Sequence, residues 1–175
     1  MTNIEKFNEI IENKWFETVG SLTVIQRKKL LNETIRSHDL MGLTFAHLTF
    51  SDCNFIDIDF RHTYFISCNF TNCNFTNTLF LRAQLDNCNF KHCQIFQSDL
   101  GRANFIENNF IDCQFDEVDL GGANFTECEF IEPKFYKLHF LDSAALNNSK
   151  ICNSKKCMEV DTFDNLSNII DDLKE

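Results

Sequence analysis

The sequence predicts an all-β solenoid, a coil built from sides of five residues each. Every fifth residue from Leu40 to Phe140 is large and apolar, and sixteen Phe, four Leu and Ile95 fill all twenty-one of these positions. An amphipathic helix repeats its apolar residues about every 3.6 positions and a two-faced strand about every 2, so neither keeps a spacing of five in phase. The residue two positions before each apolar centre is usually small, which gives every side the same pattern.

Each side of the coil is predicted to place two residues inward and three outward. The inward pair is the apolar centre and the small residue two before it; these small residues are Cys53, Cys68, Cys73, Ala83, Cys88, Cys93, Ser98, Ala103, Cys113, Ala123 and Cys128. The residue directly before the centre is mostly Asn, Asp or Gln. A second bulky inward side chain would overfill the lumen. We therefore expect Asn108 and Pro133, which stand at small-residue positions, to be weak points.

This unit resembles the motif of the pentapeptide-repeat family, in which a small residue, Asn or Asp, a central Leu or Phe and two variable residues follow one another. The resemblance covers residues 38–142 and implies a right-handed, four-sided β-helix with twenty residues per coil. The sequence itself supports four sides, because the run Ser98 to Phe105 recurs twenty residues later as Val118 to Phe125. About five coils at ~4.8 Å each predict a rod of roughly 25 Å.

Residues 1–37, before the repeat, are predicted to form an α-helical cap over its first coil. Stacked coils leave apolar centres and strand edges open at both ends, so each end needs a cover. Thr23 and Gln26 form a capping box that opens a second helix. The apolar residues of the two predicted helices are Ile4, Phe7, Ile11 and Trp15 in the first, and Leu30, Leu31 and Ile35 in the second.

Residues 143–175, after the repeat, are predicted to form a tail and a closing helix. Ser143 to Asp161 is polar and irregular. Behind an N-cap at Asp161 or Thr162, an amphipathic helix carries apolar residues at 3-4-3 spacing, namely Phe163, Leu166, Ile170 and Leu173. We expect this helix to cap the last coil, to form a homodimer, or to do both.

Composition narrows the class of protein. A net charge of −10 argues against direct nucleic-acid binding, which depends on Lys and Arg. No apolar run approaches the ~18 residues of a membrane span, and the first residues lack the features of a signal peptide. These features predict a soluble, cytoplasmic protein. Nine Cys is an odd number, and we expect the thiols to be reduced.

The sequence shows no catalytic, cofactor or metal motif. Seven of the nine cysteines are at inward positions, where Cys behaves as a small hydrophobe, and none has the short ligand spacing that zinc requires. Cys152 and Cys157 lie outside the repeat and are the more reactive candidates. His92 is expected to point outward next to Asp52 or Asp112, without a nucleophile beside it. These observations predict that the protein is not an enzyme.

An acidic stretch is the main candidate for partner binding. Residues 106–132 contain no Lys or Arg and carry eight carboxylates: Glu107, Asp112, Asp116, Glu117, Asp119, Glu127, Glu129 and Glu132. A concentrated negative field suits a basic protein partner, although an acidic exterior also serves solubility. Ile111 and Ile131 are expected to stack outward in one column, and Phe96 and Tyr136 to share another. Exposed apolar groups beside acidic ones favour a protein interface.

Three functions remain open at this point. The first is a protein-binding module that uses its acidic outer faces. The second comes from the resemblance, because Phe-centred members of the family mimic duplex DNA and inhibit or protect type II topoisomerases such as DNA gyrase. The third is a structural or targeting module. A dimer through the C-terminal helix would roughly double the rod in the second case.

Overall fold

The computed structural model describes residues 16–19, 22–26, 29–36, 40–139 and 143–162. Within these ranges the chain forms 21 β-strands and turns, and no α-helix. Three-residue strands alternate with corners, so the chain turns once for every five residues. The predicted all-β solenoid of four-sided coils is confirmed.

The strands stack into three sheet faces and one turn-rich face. Face 1 contains β2 (Leu22–Gln26), β5 (Thr44–Ala46), β8 (Tyr64–Ile66), β11 (Gln84–Asp86), β14 (Asn104–Ile106), β17 (Asn124–Thr126) and the first half of β20 (Ala145–Cys152). Face 2 contains β3 (Lys29–Leu31), β6 (Thr49–Ser51), β9 (Asn69–Thr71), β12 (Asn89–Lys91), β15 (Asn109–Ile111), β18 (Glu129–Ile131) and the second half of β20. Face 3 contains β4 (Thr34–Arg36), β7 (Asn54–Ile56), β10 (Asn74–Thr76), β13 (Gln94–Phe96), β16 (Gln114–Asp116) and β19 (Lys134–Tyr136). Face 4 is held by single parallel bridges through Asp59, Leu79, Asp99, Asp119 and His139.

Parallel pairing joins each coil to the next with a shift of twenty residues. Phe45 is in register with Phe65, Phe65 with Leu85, and Leu85 with Phe105. Because β20 spans two faces, faces 1 and 2 form one 15-stranded sheet that also includes β1 and β21, while face 3 is a separate six-stranded sheet. The shift of twenty explains the sequence repeat, since each residue stacks on its counterpart one coil away.

Aromatic columns fill the interior. On face 2 the rings of Phe50, Phe70, Phe90, Phe110 and Phe130 stack with centroid separations of 4.9, 4.7, 5.0 and 4.9 Å. These separations match the strand spacing of about 4.8 Å, so sheet geometry and ring stacking reinforce each other. Where Leu85, Ile95 and Leu100 replace Phe, the core leaves a small apolar cavity of ≈ 10 Å³.

The predicted second N-terminal helix is wrong. The strands β2, β3 and β4 lie at residues 22–26, 29–31 and 34–36, and Ile25, Leu30 and Ile35 pair in register with Phe45, Phe50 and Phe55. The five-residue phase therefore begins at Ile25. It was missed because the residues two before these centres are Thr23, Lys28 and Glu33, of which two are large and charged. β1 (Phe16–Val19) pairs antiparallel with β2 and extends face 1. The predicted first helix, with Ile4, Phe7, Ile11 and Trp15, lies outside the described residues.

The segment after the repeat is also ordered differently from the prediction of a polar, irregular tail. Phe125 pairs with Leu146 and Phe130 with Ile151, a shift of 21 residues instead of twenty. One inserted residue thus changes the phase without ending the coil. β21 (Cys157–Thr162) then folds back antiparallel on β20, and a disulfide joins Cys152 to Cys157. The predicted closing helix, with Phe163, Leu166, Ile170 and Leu173, lies outside the described residues.

A left-handed residue forms the corner after each side. The residue two after each centre has a positive φ, as in Asp52 (56°), Asn72 (53°) and Glu107 (55°). Asn, Asp and His adopt this conformation more readily than most residues, and they are common at these positions. Each corner aims its side chain outward, so corner residues stack in rows along the edges of the rod.

Candidate partner-binding surface

The inward cysteines of the repeat are buried hydrogen-bond donors. The seven cysteines of the repeat are free and buried. Each Sγ reaches a main-chain carbonyl, for example Cys113 to Phe90 O at 3.3 Å and Cys68 to Phe45 O at 3.3 Å. Burial raises the pKa of Cys128 to about 11. All seven thiols are shielded from solvent and used in main-chain hydrogen bonds, which is the setting of structural and not of reactive cysteines.

Asn108 is not a weak point. It is fully buried, its Oδ1 accepts from Cys88 N at 2.8 Å, and its Nδ2 donates to Leu85 O at 2.7 Å. Ser149 repeats this arrangement with Cys128 N and Phe125 O. The column thus accepts any small side chain that satisfies these main-chain groups. Pro133 is half-buried next to β19, the last strand of face 3, and its predicted weakness stays a prediction.

Five of the eight acidic residues converge on face 2. Glu107 and Glu127 are stacked corner residues between faces 1 and 2, and Asp112 and Glu132 are stacked corner residues between faces 2 and 3. Glu129 lies between these two rows on β18. The four corner side chains are exposed, as predicted. We call the set Glu107, Asp112, Glu127, Glu129 and Glu132 the acidic surface.

Two isoleucines form the floor between the two rows of carboxylates. Ile111 and Ile131 are cross-strand partners on β15 and β18, and both are partly exposed. Their predicted stacking in one outward column is confirmed. Apolar area bordered by charge is typical of a protein interface, where a dry centre lies inside a polar rim.

The contacts of the acidic surface leave most of its charge available. His92 Nδ1 lies 3.5 Å from Asp112 Oδ2, which confirms the predicted neighbour. One oxygen of Glu132 accepts from Ser154 N at 2.6 Å. Lys150 stands opposite Glu129 on the next strand and marks the end of the acidic surface. An exposed His–carboxylate pair contributes little to stability, so we regard the surface as solvated and open to a partner.

The other three acidic residues lie outside the acidic surface, on faces 3 and 4 and at the corner between these faces. Glu117 accepts from Lys137 Nζ and Gln97 Nε2, both at 2.7 Å, and these contacts lower its pKa. Asp119 accepts from Gly121 N at 2.7 Å. Asp116 lies between Phe96 and Tyr136 on face 3, which confirms the predicted aromatic column. The eight carboxylates therefore do not share one face: five lie on face 2 and its corners, and three lie on faces 3 and 4.

Face 4 carries two shallow grooves that the sequence did not predict. Their volumes are ≈ 560 and ≈ 460 Å³, and both are lined by Asp99 and Asp119. Gly101 and Gly121 line the first groove, and a Cβ added at Gly101 would lie only 2.8 Å from Asp99 Oδ1. The signal in the sequence is the recurring Asp-Leu-Gly, whose two glycines line the first groove.

The described part of the chain offers no sign of a metal centre or a membrane-crossing helix. Among these residues no three of His, Cys, Asp and Glu converge as metal ligands. In the same ranges, no helix is long and apolar enough to cross a membrane. Cys152 and Cys157, predicted to be reduced and reactive, instead form a disulfide.

A four-sided parallel β-solenoid with five-residue sides and an acidic exterior defines the class of this protein. The family model described as "Pentapeptide repeats" matches eight copies, over residues 39–80, 53–91, 83–122 and 109–140. The chain therefore belongs to the pentapeptide repeat family. The comparison with curated proteins found no match.

Several solved pentapeptide repeat structures are similar to this chain at low identity. QnrB1, described as a plasmid-mediated fluoroquinolone resistance protein, is 16% identical, with a TM-score of 0.36 over 73% of this chain and 93% of QnrB1. A protein of the Arabidopsis thaliana thylakoid lumen is 18% identical, with a TM-score of 0.40 over 65% of each chain. A protein from the cyanobacterium Cyanothece 51142 is 12% identical, with a TM-score of 0.36 over 66% of this chain and 89% of its own.

Proposed function

We propose that this protein is a non-enzymatic module that binds a protein partner with a basic surface. The observation that carries the proposal is the acidic surface, where two rows of exposed carboxylates border the Ile111–Ile131 floor. The carboxylates attract and orient a basic partner, and the apolar floor supplies contact area once water is displaced. The buried thiols and the filled interior supply no reactive group for catalysis.

The experiment reverses the charge of the four corner residues. A variant carrying Glu107→Lys, Asp112→Lys, Glu127→Lys and Glu132→Lys is compared with wild type in a quantitative pull-down. The control carries Asp52→Lys, Asp57→Lys and Glu159→Lys, which are exposed carboxylates outside the acidic surface. We expect the first variant alone to lose partners, with its circular dichroism spectrum unchanged. Equal recovery of all partners by both variants refutes the proposal and favours a structural or targeting role.

A second candidate function is mimicry of DNA toward a type II topoisomerase such as DNA gyrase. Two parallel rows of carboxylates separated by one strand-wide face offer a negative pattern that a DNA-binding groove accepts. Residues of one row are one coil, about 4.8 Å, apart, whereas phosphates along one DNA strand are about 3.4 Å apart along the axis. The carboxylates are therefore spaced more widely than phosphates, and the candidate rests on the paired rows of negative charge and on the resemblance to Phe-centred family members.

A gyrase assay separates this candidate from the general proposal. Wild-type protein is expected to inhibit supercoiling or to change the drug sensitivity of gyrase, and added salt is expected to weaken the effect. The four-residue variant is expected to be inactive in this assay. If wild-type protein at micromolar concentration has no effect on gyrase or topoisomerase IV, mimicry of DNA toward these enzymes is excluded. The proposal that the acidic surface binds a basic protein partner is not affected by that result.

We also propose that the C-terminal segment with Phe163, Leu166, Ile170 and Leu173 dimerises the rod. Its 3-4-3 apolar spacing calls for a partner surface, and a two-fold axis at the last coil would extend both acidic surfaces into one longer rod. Light scattering on the full chain and on a chain that ends at Thr162 tests this. We expect a dimer and a monomer, respectively; a monomer in both cases rejects dimerisation.

A further inference from the structure

A carboxylate enclosed by two exposed rings stands on face 3, away from the acidic surface. Asp116 on β16 is in register with Phe96 on β13 and with Tyr136 on β19. Phe96 and Tyr136 are 37% and 50% exposed, whereas Phe75 and Phe115 at the core centres of β10 and β16 are buried. All three residues follow a core centre by one position, so their side chains project outward from neighbouring strands.

Asp116 has a carboxylate oxygen that is buried and has no hydrogen-bond partner. Its Oδ1 is shielded from solvent, and no donor of the described residues reaches it. A buried acceptor without a donor is costly, and in a native protein such an atom calls for an explanation. A donor supplied from outside would account for the vacant acceptor.

We propose that Phe96, Asp116 and Tyr136 form a binding site for an arginine side chain of the protein partner. This inference rests on the proposed protein-binding function and locates a specific contact within it. Neighbouring strands are about 4.8 Å apart. A cation placed over Asp116 on β16 therefore lies about 4.8 Å from each of the two strands that carry the rings. That distance is within the ~6 Å range of a cation–π interaction. The slot therefore offers one charge partner and two aromatic walls.

Arginine fits this slot better than lysine. The guanidinium is planar, donates to both oxygens of a carboxylate and stacks on aromatic faces. An ammonium group is more strongly hydrated and makes only point contacts. Arginine between aromatic residues is also a common energetic centre of protein interfaces.

The neighbouring charges permit a cation at this position. Lys137 is one residue beyond Tyr136, but its Nζ is held by Glu117 Oε1 at 2.7 Å. Lys134 lies on β19 beside Gln114 and is exposed. Lys134 opposes an incoming cation, so removing its charge is expected to strengthen binding. A Lys134 variant without charge is therefore expected to bind more tightly, whereas substitutions of Asp116 or Tyr136 are expected to weaken binding.

Asp86 provides a matched control on face 1. It occupies the same position on its strand, and its Oδ1 is also buried without a partner. Its flanking residues are Ile66 and Ile106, however, and its Oδ2 accepts from Gln84 Nε2 at 2.9 Å. Asp86 therefore combines the same main-chain setting with aliphatic walls and an occupied second oxygen.

The test titrates acetyl-arginine amide into the isotope-labelled full chain and follows backbone amide and Tyr ring signals by NMR. We expect saturable shifts confined to β13, β16 and β19, with acetyl-lysine amide at least threefold weaker and the neutral acetyl-citrulline amide silent. Asp116→Asn and Tyr136→Leu are each expected to weaken binding at least fivefold, and Asp86→Asn to leave it unchanged. Lys134→Gln is expected to tighten it about twofold.

Three results overturn the site: no saturable shift at these strands, equal binding of acetyl-citrulline amide, or equal weakening by Asp116→Asn and Asp86→Asn. The amino acid amide needs no partner protein, and none of the substitutions lies in the acidic surface. A failure here therefore leaves the charge-reversal experiment on Glu107, Asp112, Glu127 and Glu132 standing. Conversely, a failure of that experiment does not alter the NMR result.

Discussion

Truncating Phe90 tests the aromatic column that supports the whole solenoid. Phe90 is 3% exposed and stacks on Phe70 at 4.7 Å and on Phe110 at 5.0 Å. Phe→Ala in a core costs about 3–5 kcal/mol, which includes the cavity left behind. The two stacked neighbours are fixed by their own coils, so neither can move far into the space. We therefore expect Phe90→Ala to lower the free energy of unfolding by about 4 kcal/mol.

The neighbouring residue supplies the control for this prediction. Lys91 lies on the same strand, β12, and its side chain is exposed. Lys91→Ala is expected to change the free energy of unfolding by less than ~0.5 kcal/mol. For a domain of this size, 1 kcal/mol shifts Tm by roughly 2–4 °C, so Phe90→Ala should lower Tm by about 8–16 °C.

The assay is thermal and urea unfolding followed by far-ultraviolet circular dichroism. Both variants must first show the wild-type spectrum at low temperature. If the two variants melt within about 2 °C of each other, the stacked rings do not determine stability and the column model is wrong. Broad, non-cooperative melting of Phe90→Ala alone would instead mean that the coils on either side of it unfold separately.

Three further predictions concern the inward column and the C-terminal hairpin. Asn108→Ala should lower Tm by several degrees more than Asn109→Ala, because it leaves Cys88 N and Leu85 O without their buried partners. Burial raises the pKa of Cys128 from 9.0 to about 11, so its stabilising contribution is full below pH 9 and is lost as pH rises through 11. The loss of stability between these pH values should therefore be smaller in Cys128→Ala. An unchanged pH midpoint of alkaline denaturation contradicts this. Reduction of the Cys152–Cys157 disulfide should speed hydrogen exchange in β21 while leaving the Tm of the coils unchanged, which exchange mass spectrometry measures.

The core of the fold was predictable because its period is strict. From Leu40 to Phe135 every centre stands where the five-residue phase places it, and all are buried except Phe135, which is on the last strand of face 3. The two ends were not predictable in the same way. At the N-terminal end the centres keep the five-residue phase, but the residues two positions before them do not fit the motif; these centres are Ile25, Leu30 and Ile35. At the C-terminal end the centres Leu146 and Ile151 follow small residues, but their phase is shifted by one residue. Each end satisfies only half of the motif.

The arrangement of the acidic residues was harder to predict than the fold. In the sequence the eight carboxylates form one stretch, but the coil distributes successive sides over four faces. Only residues that share a face or a corner come together, which unites Glu107 with Glu127 and separates both from Asp119. Assigning each residue to its side of the coil before grouping the charges would have identified face 2. The disulfide depended on the β20–β21 hairpin, for which the polar tail gave no signal.

On face 2, a ladder of outward-facing amide side chains stops where the acidic surface begins. On face 2, Asn89 donates to Asn69 and Asn109 donates to Asn89 at 3.1 and 2.8 Å, forming a ladder of side-chain amides along the rod. The next position in this ladder is Glu129, in register with Asn109. An Asn there would continue the ladder, as Asn124 and Asn147 do on face 1. A carboxylate instead adds negative charge beside Glu107, Asp112, Glu127 and Glu132. A ladder of amides stabilises the rod and a cluster of like charges opposes it. Lys150, in register with Glu129 on β20, offsets one of the five carboxylates, and we expect a cationic partner to offset the others.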